Sequence, residues 1–308
     1  MIAPSRRAVL AGLAAALILP RWAAAGRPLL LVLTSGASPR TDAILGAVEA
    51  GTEGANRVIY ELGPEVEAAA FLADGTRDLA INAVLAVGDR AFVAAAREFA
   101  DLPLIYADVH DTSAASGRPN VVGLSLRPDP AQGLTHLRGV FPQLKTLGLV
   151  RGARDAEAAW WTELEAAAAA QKIALEVKTA SSVADLGNAM TALLARADAI
   201  WAQPDPQLWT GAVVGRTLYD ASLAHKPVIG LDRSWLAAVP PAPFVLEASA
   251  AGIGQAAAAA ARRALGLSDG AVGSSFPEPW LVGSKVAVRN LGLPFRKSEA
   301  ALVQEWVD

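Results

Sequence analysis

Polar residues follow the predicted strands of this chain at the points where the strands end. They are Thr34, Ser35, Gly88, Asp89, Arg90 and Asp108 in the first half, and Arg154, Asp155, Gln203, Asp205, Asp232 and Ser234 in the second. In open α/β sheets, ligands bind at the carboxyl ends of strands, where loops and helix N-termini converge. The pattern therefore predicts a binding site for a small polar molecule, with both halves of the chain contributing.

Each of these residues also has a purely structural interpretation. Asp89, Asp205 and Asp232 stand just before a helix or a turn, where an aspartate commonly accepts hydrogen bonds from backbone N–H groups. For any one of them alone, capping and ligand contact are about equally good interpretations. His110 fits a solvated loop residue better than a ligand contact. The same arrangement in both halves favours a site.

Motifs for catalysis, metal binding and phosphate binding are missing. The three histidines are His110, His136 and His225, which lie far apart, and the chain has no cysteine and no HExxH pair. The P-loop and GxSxG patterns are absent too, and the segment 123–127 lacks the second glycine of the latter. We therefore expect neither a metal nor a cofactor, and we do not expect an enzyme.

A loose dinucleotide fingerprint, GxGxxA, occurs at residues 252–257. That fingerprint belongs on the first strand-to-helix turn of a domain, whereas here it lies near the start of a late helix. Close packing of that helix is the better interpretation.

Short apolar runs alternate with helical segments along the whole chain, which predicts βαβ units and parallel sheets. The predicted strands are Leu29–Leu33, Asn56–Glu61, Ala83–Val87, Leu104–Ala107, Asn120–Leu124, Thr146–Val150, Ala174–Val177, Ala199–Ala202 and Val228–Leu231. The fold class is therefore α/β, with two doubly wound parallel-sheet lobes joined by several crossovers.

The lobes are predicted over residues 26–124 plus 248–275 and over residues 125–247 plus 276–308. The helix at 248–265 follows the second series of strands, and we place it back on the first lobe. In the tail, Trp280–Val282 and Lys285–Asn290 are predicted as short strands. Trp201 is predicted to be core, whereas Trp160 and Trp161 differ by about 100° around a helix and should not be buried in the same place.

The first 25 residues are predicted to be a signal peptide. Arg6 and Arg7 precede an apolar run that Pro20 ends, and Ala23-Ala24-Ala25 suits a signal peptidase that cuts before Gly26. The paired arginines favour twin-arginine export over an ordinary secretory signal. Without cysteine, the exported protein can carry no lipid anchor at the cleavage site. A net charge of −3 that already includes the basic signal argues against nucleic-acid binding, and no later apolar run is long enough to insert into a membrane.

Several stretches resemble a known family. They are Asn120–Ser125, Gln143–Val150, Ala197–Trp201, Lys226–Asp232 and Gly252–Leu265. The order of elements resembles type I periplasmic binding proteins, and more narrowly the ABC-transporter substrate-binding proteins whose characterised members bind tryptophan or tyrosine. Two loops depart from the pattern: Asp89-Arg90 replaces a threonine or serine with small residues, and Gln203-Pro204-Asp205-Pro206 replaces threonine followed by aspartate.

The resemblance implies a monomeric periplasmic solute-binding protein that captures an amino acid or a similar polar metabolite for the membrane permease of an ABC importer. Arg90 would bind a ligand carboxylate, and Asp205 or Asp232 would bind an ammonium group. The lobes would close about a hinge near Gly123 to Pro130. The alternative is a sensing module that presents its bound state to a membrane receptor or kinase, and neighbouring genes would distinguish the two.

Overall fold

The computed structural model describes residues 26–63, 72, 74–110, 112–115, 117–153, 155, 157–205, 207–268, 276–293 and 301–308. The predicted signal peptide, Arg154 and most of the helix predicted over 66–77 lie outside these residues. In the described part of the chain, none of the helices combines the length and the apolar character needed to cross a bilayer.

The described residues form α/β structure from Leu29 onward. The strands are β1 (Leu29–Thr34), β2 (Asn56–Glu61), β3 (Ile81–Val87), β4 (Leu104–Ala107), β5 (Val121–Gly123), β6 (Thr146–Gly152), β7 (Ala174–Ala180), β8 (Ala199–Trp201), β9 (Val228–Gly230), β10 (Phe244–Ala248), β11 (Pro279–Ser284) and β12 (Glu305–Val307). The helices are α1 (Pro39–Gly51), α2 (Asp89–Glu98), α3 (Pro130–Val140), α4 (Ala158–Ala170), α5 (Val183–Arg196), α6 (Gly211–Leu223), α7 (Ala250–Ala264) and α8 (Lys285–Asn290).

The chain divides into two compact units. Unit 1 comprises the described residues of Met1–Leu126 and Ala250–Ser275, and unit 2 those of Arg127–Ser249 and Phe276–Asp308. The chain therefore passes between the units three times.

Unit 1 is built on a five-stranded parallel sheet in the order β2-β1-β3-β4-β5. Its central strands are continuous apolar runs, and Leu30 to Leu33 and Ala83 to Ala86 are completely buried. Such runs form the middle of a parallel sheet because helices cover both of its faces. This confirms the predicted α/β fold class, including the strand order reversal beside β1 that defines a doubly wound sheet.

Unit 2 is built on a seven-stranded sheet in the order β12-β11-β10-β9-β8-β6-β7. It is not entirely parallel, because β10 and β11 pair antiparallel with Ala248 opposite Pro279. The chain leaves unit 2 after β10 and re-enters it at the same end of that strand, where Ser249 N donates to Glu278 O at 2.7 Å. The returning strand must therefore run in the opposite direction.

The predicted strand at Lys285–Asn290 is wrong, because these residues form α8. Ser284 begins the helix, since its Oγ accepts a hydrogen bond from Ala287 N at 3.2 Å. Strands β10 and β12 were not predicted.

Helix α7 packs closely on α1 in unit 1, and glycines make this approach possible. A Cβ added to Gly254 would lie 2.5 Å from the backbone oxygen of Ile44, and one added to Gly51 would lie 2.5 Å from the Cβ of Ala258. The GxGxxA pattern is therefore used for helix packing.

We expect Gly254→Ala to lower the free energy of unfolding by about 1–3 kcal/mol, because the added methyl group must push the α1 backbone away. Gly187→Ala is the matched control, because Gly187 is an exposed residue of α5 with nothing within 4 Å of an added Cβ. That control should gain about 0.5–1 kcal/mol from helix propensity. Urea unfolding measures both, and equal effects would contradict close packing at Gly254.

Candidate functional site

At the carboxyl edge of unit 1, the residues after β1 and β3 meet at the start of α2. Ser35 Oγ accepts a hydrogen bond from Ala91 N at 3.0 Å, so this hydroxyl satisfies a backbone donor in the first turn of α2. Gly88 has φ of 88°, and a Cβ there would lie 2.6 Å from Ser35 Oγ. Thr34 is buried, and its backbone oxygen accepts from Leu62 N at 2.8 Å. The structure brings Ser35 and Gly88 together, whereas Thr34 is the last residue of β1.

The charged residues of this edge form local contacts. Asp89 accepts from the backbone N of His110 at 2.7 Å, and its other oxygen lies 3.3 Å from His110 Nδ1. Asp108 adopts the left-handed conformation with φ of 56°, and its carboxylate bonds Arg40 Nε at 3.0 Å. Arg40 was not among the predicted site residues. The carboxyl edge of unit 1 thus carries Asp89, Asp108 and His110 together with Arg40.

Arg90 is an exposed cation at this edge of unit 1. Its Nη1 donates to Leu62 O at 3.0 Å, which ties the guanidinium to the end of β2. Since a guanidinium carries five N–H donors in a planar fork, the group held here can also bind an anionic group.

At the carboxyl edge of unit 2, Asp155 forms a buried ion pair with Arg127. The two Nη atoms of Arg127 donate to the two carboxylate oxygens at 3.0 and 2.5 Å, and each side chain is only 4% exposed. The guanidinium carbon lies 5.1 Å from the ring centre of Trp160 and 5.7 Å from that of Trp161. This pair joins the first residue of unit 2 to the loop that follows β6.

The pKa of Asp155 is lowered by this arrangement. Burial by itself would raise the pKa, but the hydrogen bond and the positive charge of Arg127 outweigh it, and Trp161 Nε1 donates a further bond at 2.8 Å. Asp155 is therefore an anion inside the protein, with its charge neutralised by Arg127.

The expectation that Trp160 and Trp161 could not be buried together is wrong. They are 0% and 3% exposed, and their rings meet edge to face with centres 5.3 Å apart. Both rings reach the same buried guanidinium, so the angle between neighbouring positions on α4 does not separate their environments. Trp201, predicted as core, is 1% exposed and lies 5.5 Å from Trp160.

Asp205 and Asp232 serve as local caps. Asp205 Oδ1 accepts from the backbone N of Gln207 and of Leu208, at 2.9 and 3.2 Å. Asp232 Oδ1 accepts from the backbone N and the Oγ of Ser234, at 2.8 and 2.5 Å. The Asp205 carboxylate also lies against Gly152, where it leaves no room for a Cβ. The end of β6 is thus in contact with the loop after β8.

Gln203 is the exception among these residues. It is 2% exposed, and neither Oε1 nor Nε2 has a hydrogen-bond partner in the part of the chain that the structure describes. Its backbone oxygen accepts from Trp209 Nε1 at 2.8 Å, which fixes the loop.

Comparison with known proteins shows the fold. No protein-family model and no curated protein matches the chain. A conserved domain protein from Vibrio cholerae is 22% identical, with 91% of this chain and 99% of that chain covered and a TM-score of 0.55. An ABC domain in complex with L-Trp from Streptococcus pneumoniae is 18% identical over 91% and 100% of the two chains, with a TM-score of 0.56.

A substrate binding protein with adhesive properties from Clostridium difficile, in its ligand-free, open structure, is 16% identical over 91% and 99% of the two chains, with a TM-score of 0.58. The chain has the type I periplasmic binding protein fold. The nine strands predicted between residues 29 and 231 are present as β1 to β9.

Proposed function

We propose that this protein is a non-enzymatic solute-binding protein of the periplasm, which captures an amino acid or a similar polar metabolite and delivers it to the permease of an ABC importer. The observation that carries the proposal is the set of polar side chains at the carboxyl ends of the strands in both units. This is the edge where open α/β sheets bind ligands. A protein of the same fold, from Streptococcus pneumoniae, is in complex with L-Trp.

The predicted ligand contacts keep their roles in this proposal. Arg90 is exposed at its edge of unit 1 and can bind a carboxylate. Asp205 and Asp232 each use one oxygen in a turn, and a carboxylate has further lone pairs for an ammonium group. The protein would act as a monomer, since the proposal needs no second copy.

The contacts of residues 127–129 bear on where the chain would bend within the predicted hinge, Gly123 to Pro130. Arg127 is bonded to Asp155, Pro128 O accepts from Trp160 Nε1 at 2.9 Å, and Asp129 N donates to Pro277 O at 2.8 Å. All three residues are thus tied into unit 2. We propose that the first crossover bends before Arg127 when ligand favours a closed state.

Thermal-shift screening of the full chain against amino acids and other small metabolites tests this function. We expect at least one compound to raise the melting temperature, and we expect Arg90→Ala to weaken the binding of a carboxylate ligand about tenfold. Arg97→Ala on the same helix is the control, because Arg97 is 78% exposed near the other end of α2. Absence of stabilisation by every compound would contradict the function, and equal effects of the two variants would exclude Arg90 from the site.

A further inference from the structure

The side-chain amide of Gln203 is a buried polar group that the described chain does not satisfy. Gln203 is 2% exposed, and both of its amide atoms are without a partner. Buried polar groups in folded proteins almost always have hydrogen-bond partners, because a buried group without a partner has lost its hydrogen bonds to water and gained none in return. An exception at the ligand-binding edge of a sheet points to a partner from outside the chain.

The pattern of burial along β8 shows which side of the sheet this amide lies on. Ile200 and Ala202 belong to the core on one face, and Trp201 to the core on the other. The ladder continues past β8, since Ala202 N donates to Ile229 O at 3.0 Å. Side chains alternate along a strand, so Gln203 lies on the face of Trp201.

On that face, the buried guanidinium of Arg127 is neutralised by Asp155 through two hydrogen bonds. Arg151, whose guanidinium carbon lies 5.1 Å from the ring centre of Trp161, is only partly buried. Gln203 itself carries no charge, so a charged ligand group held by its amide alone would lack a counter-ion, which is costly in a protein interior. A neutral group fits this position.

We propose that Gln203 binds, through Oε1 and Nε2 together, a neutral ligand group that presents an adjacent donor and acceptor. A primary carboxamide, an imide and the edge of a nucleobase have this chemistry, because each can exchange two hydrogen bonds with a planar amide. The inference rests on the proposed solute-binding function and narrows its ligand class. It makes Gln203 a specificity-determining residue of unit 2.

The first test needs no ligand. Gln203→Met keeps the length of the side chain and removes both polar atoms, so it should raise the urea midpoint of the full-length protein stripped of ligand by unfolding and refolding. Gln255→Met, at an exposed position of α7, is the matched control and should change the midpoint less. A lower midpoint for Gln203→Met would show that the amide has a partner inside the folded protein, such as a buried water, and would overturn the proposal.

The second test compares probes that differ in charge. At least one of the neutral probes nicotinamide, uracil and adenine should raise the melting temperature of the wild type. The same probe should give an equal shift for Gln255→Met, a weaker shift for Gln203→Glu and no shift for Gln203→Met. Nicotinate, which replaces the amide of nicotinamide by a carboxylate, should give no shift in any of them. Equal shifts from nicotinamide and nicotinate, equal shifts in wild type and Gln203→Met, or no shift from any neutral probe would overturn the assignment. Stabilisation by charged amino acids alone would also overturn it, while leaving solute binding intact.

Discussion

Replacing Arg127 by methionine is expected to lower the free energy of unfolding by about 3–5 kcal/mol, because the change leaves the Asp155 carboxylate buried without its counter-ion. Arg127 and Asp155 are each 4% exposed, so water cannot take the place of the lost guanidinium without opening the loop. The two tryptophan rings that face the cation lose a further attraction. Urea unfolding followed by far-UV circular dichroism measures the loss.

The double variant Arg127→Met with Asp155→Leu is the control for this prediction. Removing both charges together leaves no buried ion, so most of the lost stability should return. Arg216→Met provides a surface comparison, since its ion pair with Asp220 joins a side chain that is 76% exposed and should matter little. A single Arg127→Met variant as stable as the wild type would contradict a buried pair.

The same pair gives the wild type a specific dependence on pH. The pKa of Asp155 is lower in the folded protein than in the unfolded chain, where the pKa of an aspartate is about 3.9. Its contribution to stability is therefore complete above that value and is lost as the pH falls through the folded pKa. The double variant should lose less stability than the wild type over this acidic range.

Replacing Trp201 by alanine is expected to cost about 3–5 kcal/mol, because it empties a large volume in the core of unit 2. Trp201 is 1% exposed, and it packs on Trp160 with ring centres 5.5 Å apart. A Cβ on Gly133 of α3 would lie 2.7 Å from its ring, so the neighbouring helix touches it directly. Trp201 belongs to the core cluster of unit 2 and lies two residues before Gln203.

Trp280→Ala is the matched control for Trp201→Ala. Trp280 lies on β11 and is 37% exposed, so its removal creates less empty volume and should cost clearly less stability. Urea unfolding of the two variants decides the comparison. Equal losses would contradict the placement of Trp201 at the centre of the core.

Local sequence patterns were sufficient for most of the fold. Continuous apolar runs such as Leu29–Leu33 and Ala83–Val87 predicted central parallel strands, because both of their faces are covered by helices. Val286-Ala287-Val288 looked like part of a strand, but a cap at Ser284 directs it into α8. Strand β12 has only three residues and pairs at the edge of the sheet, so its own pattern is too short to reveal it.

The candidate site was less accessible to sequence reasoning. The positions were identified from strand ends, but the partners come from distant segments: Arg127 lies 28 residues before Asp155, and Arg40 lies 68 residues before Asp108. The spacing of residues along the chain does not predict such contacts between distant segments. Two features of the sequence pointed towards the buried contacts of Arg127. They are the polar residues next to a predicted crossover and the two adjacent tryptophans at the start of a helix.

Mass spectrometry of the molecules released by denaturing the purified protein tests most directly whether the protein binds a small polar solute. We predict one polar metabolite in an amount comparable with that of the protein, and we predict that the refolded protein binds the same compound again. A protein that releases no enriched molecule, and that after refolding binds none of the polar metabolites offered to it, would contradict solute binding.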